Sequence, residues 1–186
     1  DNRKIISFKE IGIGIKSSIK WMNTAVNLIY HKSSNAELNK HIQVKHQFIT
    51  NPHYRIYLKG GEIYSELKNR LVNDEVFYTP CLGPAYALAD IYYIGEYEAE
   101  EADKDAGFNT VVPASDGVEL DIVRSGAVFS ETVPVEMNNK RRLINTILTY
   151  YTQPNKNGVK PVYLRNVGQL ETNQINGEKV AWFNAW

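Results

Sequence analysis

The side chains best suited to chemistry in this chain are concentrated between positions 31 and 53. This window holds all four histidines of the chain and the three lysines Lys32, Lys40 and Lys45, against a single acid, Glu37. Ammonium and imidazolium groups attract phosphate oxygens, and a local excess of them can bind a phosphate chain even when the whole protein carries no net charge. The window therefore predicts a phosphate-binding surface.

RNA is the ligand that this surface suits, because Trp21 and Tyr30 lie beside the window and can offer a ring to an unpaired base. Two lysines on the preceding predicted strand extend the set. So does a second basic point, the arginine pair that follows Lys140. The candidate RNA-binding residues are Lys16, Lys20, Trp21, His31, Lys32, Lys40, His41, Lys45, His46, Arg141 and Arg142. Two other interpretations stay open: the lysines are ordinary solvated side chains on a hairpin, and Trp21 belongs to the core.

Catalysis of RNA cleavage is an alternative function for the same window. Cleavage without a metal needs a general base for the 2′-hydroxyl and an acid for the leaving oxygen, and His or Lys can serve. Tyr30, His31 and Lys32 are consecutive, with Lys45 and His46 further along. Consecutive residues of a strand point to opposite faces, however, so the triplet does not converge without help from a loop. We therefore expect binding without catalysis and assign no catalytic residue.

Composition limits the remaining possibilities. The 21 basic and 21 acidic residues cancel, so any RNA site depends on uneven charge, and residues 96–105 are strongly acidic. The single cysteine, Cys81, excludes an intrachain disulfide and a Cys-cluster zinc site and is typical of a reducing cytoplasm. No motif indicates a metal, a cofactor, a secretory signal or a membrane span.

Periodicity predicts an α+β chain in which these residues lie on strands. Helices are expected over Ile63–Val72 and, less regularly, over Arg141–Tyr151. The strands are expected near Ile11–Lys20, Ala25–Tyr30, Ile42–Ile49, Tyr54–Lys59, Asp90–Tyr97, Asn109–Pro113, Glu119–Arg124, Ala127–Val135, Pro161–Val167 and Val180–Phe183. The β–β–α–β order of the first part favours a ferredoxin-like, RRM-like domain with a basic hairpin at about 31–50.

One segment carries a family resemblance. Val76–Glu98 contains Thr-Pro-Cys-Leu-Gly-Pro, a corner fixed by two prolines and Gly83, before an aromatic and β-branched run. It resembles the Tyr-Thr-Pro-x-Leu-Gly stretch of the Cas-five proteins, the small backbone subunits of type I CRISPR Cascade complexes. Ile11–Lys20, His53–Gly61 and Phe108–Arg142 are similar to other parts of that family in the same order, and the nearest variety is type I-B.

The corner and the run after it also carry structural expectations. Cys81 is expected to be a small buried residue. Tyr92, Tyr93 and Tyr97 are expected to be packing residues, because a strand buries alternate positions. The corner is expected to place the helix predicted over Ile63–Val72 on the sheet and to return the chain as the strand near Asp90.

The resemblance implies a fold, a function and partners. It implies a RAMP domain over residues 1–98, a β-rich C-terminal subdomain over 107–186, and a thumb-like hairpin against RNA. The chain would then be a non-catalytic Cascade subunit that caps the crRNA 5′ handle and contacts the Cas-seven backbone and the Cas-eight large subunit. Target DNA would be bound only through the complex, and a separate Cas-six nuclease would process the RNA. Because the family opens with a strand and a helix, residues before Asp1 are also expected.

Overall fold

The computed structural model describes residues 10–29, 41–61, 64–76, 78–103, 105–138, 140, 142–154 and 160–184. Within these ranges the chain is a mixed, strand-rich protein whose strands form several small sheets, with two short helices. The α+β class is therefore confirmed at this coarse level. None of the helices in the described ranges has the length and apolar character needed to cross a membrane.

The first part of the chain forms four strands and one helix. They are β1 (Glu10–Ile15), β2 (Lys20–Ile29), β3 (His41–Thr50), β4 (Tyr54–Lys59) and α1 (Tyr64–Val72). β2 and β3 pair with each other as a two-stranded antiparallel hairpin, and β4 returns to pair along the whole of β1. The hairpin is thus inserted between two strands that are neighbours in another sheet.

The second part is built almost entirely from antiparallel pairs. Its elements are β5 (Val112–Pro113), β6 (Val118–Leu120), α2 (Ile122–Ser125), β7 (Phe129–Met137), β8 (Leu143–Tyr151), β9 (Leu164–Val167), β10 (Thr172–Ile175), β11 (Glu178–Ala181) and β12 (Phe183–Asn184). β8 lies between β5 and β7, β6 pairs with β9, and β10 pairs with β11. A second long hairpin, β7–β8, therefore belongs to this part.

The two parts share a sheet and a core. β12 pairs with β1 on the side opposite β4, and the Val111 amide donates to the Ile13 carbonyl at 2.7 Å. Among the described residues, the buried apolar side chains all lie after residue 107, with Phe108, Val112 and Val162 in one group and Val180 and Trp182 in another. Tyr57 of β4 packs against the second group. The hairpin β2–β3 is consequently attached to a sheet that the C-terminal strands hold in place.

Three predictions from periodicity are wrong. Residues 143–151, expected to be helical, form β8, because the run of Ile, Thr and Tyr fits a pleated strand that pairs with β7. Residues 122–125 form α2 instead of ending a strand, with the Asp121 carboxylate accepting from the Arg124 amide at the helix start.

The third is the strand near Asp90–Tyr97. No strand forms there within the described residues, and Tyr92 is 78% exposed while Tyr97 is 48% exposed. These tyrosines were expected to be packing residues and are not. A strand needs a partner for its backbone groups. The nearest described backbone pairings lie outside this segment: the Ala89 amide donates to the Pro80 carbonyl before it, and Glu100 bridges Gln174 beyond its end.

Candidate functional site

The register of the β2–β3 hairpin sorts its side chains onto two faces. Thr24 lies opposite His46, and Ala25 lies opposite Lys45. Residues directly opposite each other in an antiparallel pair share a face, and successive residues alternate between faces. Lys45 and His46, consecutive in the sequence and both predicted to contact RNA, therefore point to opposite sides of the hairpin.

The face that carries Lys45 is mainly polar and exposed, although it also includes Ala25 and the half-buried Ile49. It presents four side-chain amides around this one lysine, with Trp21 at the start of the hairpin; Asn23 lies opposite Gln47, and Asn27 lies opposite Gln43. We call the six residues Trp21, Asn23, Asn27, Gln43, Lys45 and Gln47 the amide face. All six are exposed, and Trp21 keeps 55% of its surface in solvent.

The opposite face of the hairpin is apolar. It carries Met22, Val26, Val44 and Phe48, together with Lys20, Thr24, His46 and Thr50. The His46 ring stacks on the Phe48 ring with centroids 5.7 Å apart and planes 15° apart. His46 is half-buried, because its ring packs against Phe48 on the face opposite Lys45.

The proline-rich corner supports this apolar face. Tyr86 meets Phe48 edge to face, with ring centroids 6.0 Å apart. The corner is closed by the Leu82 amide donating to the Ala87 carbonyl at 2.9 Å and the Ala89 amide donating to the Pro80 carbonyl at 3.0 Å. The segment that carries the family resemblance thus contacts the base of the hairpin.

Two expectations about the same corner are wrong. Cys81, expected to be buried, is exposed, because its strand-like bridge with Leu88 leaves the thiol on the outside. The corner was also expected to place the preceding helix over a sheet, yet this helix, α1, buries none of its residues. The corner's described contact is with the hairpin.

Lys16 lies in an ionic cluster and is not on the hairpin. Its ammonium is 2.5 Å from the Glu178 carboxylate, and the lysine side chain is only 10% exposed. Arg55 pairs with the other oxygen of Glu178 at 2.8 Å, and the Tyr57 hydroxyl donates to the same carboxylate. The Glu178 carboxylate thus already neutralises the charge of Lys16, so this lysine is poorly suited to bind a phosphate.

The cluster also shifts two pKa values. Burial opposes ionisation of Glu178, but hydrogen bonds from Lys16 and Tyr57 and the charge of Arg55 outweigh it and hold the Glu178 pKa below its usual range. Burial, followed by the bond to Glu178, raises the pKa of Tyr57. An ionised carboxylate with three donors ties β11 to β4 and to Lys16, the residue that follows β1.

Arg142 lies directly before β8, in the connection between β7 and β8. The Asn138 side chain accepts hydrogen bonds from the Lys140 amide at 2.9 Å and the Arg142 amide at 3.0 Å, and the Asn138 amide donates to the Arg142 carbonyl. Both Lys140 and Arg142 are exposed. Beside them are the exposed apolar side chains of Met137, Leu143 and Ile144. This second basic point therefore belongs to a different hairpin from Lys45.

The remaining candidate residues fall outside the described structure in whole or in part. His31, Lys32, Lys40 and Arg141 are not among the described residues. His41 is described only through its backbone pairing with Ile29. Lys20, at the start of β2, is exposed and lies opposite Thr50. The structure thus brings Trp21 and Lys45 onto one face and places Lys20 and His46 on the other.

The four amides of the amide face were missed in the sequence, although a signal for them exists. Asn23 and Asn27 are four residues apart, as are Gln43 and Gln47, and an even spacing keeps strand residues on one face. The pattern acquires meaning only when β2 is paired with β3 in the observed register, which sets the two pairs of amides opposite each other.

No group of three or more His, Cys, Asp or Glu side chains that could hold a metal ion occurs in the part of the chain that the structure describes. In comparisons with known proteins, no family model, curated protein or solved structure matches this chain.

Proposed function

We propose that this chain is a non-catalytic subunit of a type I-B Cascade surveillance complex that binds and caps the 5′ handle of the crRNA. The ordered resemblance to Cas-five proteins supports the family, with the ferredoxin-like RAMP fold as its architecture and the cytoplasm as its compartment. The β2–β3 hairpin corresponds to the thumb-like hairpin of that family. The function follows from the hairpin and not from any catalytic group.

The observation that carries the proposal is the exposed amide face. A phosphate chain needs at least one accessible cation and an unpaired base needs a ring, and Lys45 and Trp21 supply these on the same side of one hairpin. The hairpin strands are ten residues each, about 30 Å at the usual rise for a strand, which spans several nucleotides. Capping then depends on shape and local charge rather than on net charge.

The proposed protein partners have candidate surfaces of their own. Met137, Leu143 and Ile144 are exposed apolar side chains beside Lys140 and Arg142 on the β7–β8 hairpin. Exposed tyrosine and isoleucine side chains also crowd residues 91–97. Large exposed apolar patches mark protein contacts in soluble proteins. The Cas-seven and Cas-eight subunits are the proposed occupants, and target DNA is reached only through the complex.

A metal-independent endoribonuclease that processes precursor crRNA is the alternative function. It needs an acid and a base that converge on one phosphodiester. Lys45 and His46 point to opposite faces of the hairpin, so this pair does not provide them. Incubating the chain with precursor repeat RNA in EDTA separates the two functions: intact RNA is expected, and cleavage that His46→Ala abolishes would replace binding with catalysis.

The direct test is to purify the chain from cells that also express the crRNA and the other complex subunits, and to sequence the RNA that accompanies it. A small RNA with one defined 5′ end is expected. Trp21→Ala combined with Lys45→Glu should release that RNA, whereas Arg165→Glu, an exposed change on β9, should retain it. Random RNA fragments, or retention by the double variant, would contradict the proposal.

A further inference from the structure

We propose that the amide face reads the bases of a single-stranded RNA through its Asn and Gln side chains, with phosphate attraction as a minor contribution. The inference rests on the proposed RNA binding and adds the chemistry of recognition. It concerns Asn23, Asn27, Gln43 and Gln47, with Trp21 as a stacking surface.

The balance of amides and charges on this face is the first argument. Among the residues whose side chains the structure describes, this face holds four amides and a single cation, Lys45, and the pairing register places Lys20 and His46 on the other side. A surface that binds phosphates alone needs several cations, because each neutralised phosphate supplies its own share of the affinity. One lysine positions a strand of RNA, and the amides are left to supply the specificity.

The availability of the amides is the second argument. None of the four side chains has a hydrogen-bond or ionic partner among the described residues, and all four are exposed. Each amide has a carbonyl acceptor and two N–H donors, the combination that pairs with the donor and acceptor edges of a base. An exposed row of unused donors and acceptors is therefore suited to base edges rather than to an apolar partner.

Their spacing is the third argument. Asn23 and Gln47 face each other across the hairpin, as do Asn27 and Gln43, at the roughly 5 Å separation of opposite residues. The two pairs are four residues apart along the strands, about 13 Å at the usual rise. Lys45 lies between them on the same face. The face thus has two separate reading positions with a cation between them.

Trp21 indicates that the bases must be unpaired. Its ring is 55% exposed, next to the first amide pair, and an indole with this exposure can stack on a base. A duplex keeps its bases stacked on each other, so no base face is free for the indole, and its deep, narrow major groove keeps side chains from the base edges there. The amide face therefore selects single-stranded RNA over duplex RNA.

The experiment measures binding of the full chain to fluorescent 12-nucleotide RNAs by anisotropy, using A, C and U homopolymers and a 12-base-pair duplex. We expect binding to the single strands at least about tenfold tighter than to the duplex, with different affinities for the three bases. Between 50 and 200 mM salt, the logarithmic slope of affinity should be close to −0.7, the value for about one neutralised phosphate of a single strand.

The variants separate base reading from attraction to phosphate. The double variant Asn23→Ala with Gln47→Ala should lose about tenfold in affinity and most of the base preference, with the salt slope unchanged. Asn27→Ala with Gln43→Ala provides the same test at the second pair if the first variant folds poorly. Asn145→Ala, an exposed amide on the β7–β8 hairpin, is the matched control and should bind as the unmodified chain does.

Each result decides something different. Equal binding to duplex and single strand, a slope of several units, or indifference to both amide pairs would overturn base reading while RNA binding stands. Binding to none of the RNAs would overturn RNA binding itself and base reading with it. The slope and the duplex comparison use the unmodified chain, so they decide the matter even if every variant fails to fold.

Discussion

Lys45 and His46 are neighbours in the chain but lie on opposite faces of the β2–β3 hairpin. Lys45 is exposed among side-chain amides, whereas His46 is half-buried and stacks on Phe48 at 5.7 Å. A ligand bound on one side of the hairpin can contact only one of them. The basic window found in the sequence is therefore divided by the fold, and Lys45 is the member that shares a face with Trp21.

The first prediction concerns this division. Lys45→Glu should weaken RNA binding roughly three- to tenfold and flatten its salt dependence, because the one cation of the amide face becomes an anion. Arg165→Glu makes the same charge change away from the hairpin and should leave affinity within about twofold. Filter binding at two salt concentrations measures both. A larger loss from Lys20→Glu than from Lys45→Glu would place the RNA on the apolar face.

The sequence predicted β3 well, for a physical reason, whereas β2 was expected over Ala25–Tyr30 and spans Lys20–Ile29. Alternation of Val44 and Phe48 with polar residues predicts a half-buried strand, and β3 is found within a residue of its expected bounds. β8 was mistaken for a helix because Leu143, Ile147 and Tyr151 repeat at a helical spacing. The segment forms a strand because it pairs with β7, and a local sequence pattern does not reveal which segment a strand will pair with.

The site was predictable only in part, for a related reason. Strand alternation alone separates Lys45 from His46, so the sequence already contained that result. The amide face depends on which residues of β2 and β3 are opposite each other, and register is set by the whole hairpin. The engagement of Lys16 by Glu178 joins residues 162 positions apart, and no local pattern indicates it.

The second prediction concerns the contact between the proline-rich corner and the hairpin. Phe48 and Tyr86 meet edge to face at 6.0 Å, an arrangement worth about 0.5–1.5 kcal/mol beyond the area it buries. Phe48→Leu and Tyr86→Leu, made singly and together, should show a coupling energy of this size in urea unfolding. Additive effects would mean that the corner does not support the hairpin.

A matched aromatic pair provides the control for that cycle. Phe129 and Tyr151 stack at 5.7 Å across the β7–β8 hairpin, away from the corner. Combining Phe129→Leu with Tyr86→Leu should therefore give additive losses of stability, since distant sites act independently. Coupling between these two would show that the measured energy comes from a general loosening of the fold.

The third prediction concerns the ionic cluster. Glu178→Gln should lower the free energy of unfolding by about 1–3 kcal/mol, because the largely buried ammonium of Lys16 loses its counter-ion. Glu171→Gln breaks the more exposed pair with Lys59 and should cost less than about 1 kcal/mol. Urea unfolding at pH 7 compares the two. Equal losses would mean that the cluster stabilises the fold no more than a surface pair does.

The same cluster predicts how stability depends on pH. The folded pKa of Glu178 lies below its usual value, so the folded state favours the ionised carboxylate. Its contribution is fully present above the unfolded value of about 4.3 and is lost as the pH falls through the lower folded pKa. The stability difference between the unmodified chain and Glu178→Gln should therefore be constant from pH 7 to about pH 5 and shrink below about pH 4. A stability difference that grows on acidification would contradict a lowered pKa of Glu178 in the folded state.

The fourth prediction concerns the close approach of β1 to β11. A Cβ atom added at Gly12 would lie 2.5 Å from Cγ1 of Val180, which is fully buried and cannot move aside. Gly12→Ala should therefore cost about 1–3 kcal/mol through overpacking, measured as a lower urea midpoint at unchanged slope. On the same strand, a Cβ at Gly14 would lie 3.3 Å from Cε of Lys16 and 3.4 Å from the Asn109 carbonyl oxygen, distances that a shift of a few tenths of an ångström relieves. Gly14→Ala should accordingly cost less than about 1 kcal/mol. Equal stability of the two variants would mean that β1 does not depend on its contact with the C-terminal core. That contact would then not position the β2–β3 hairpin.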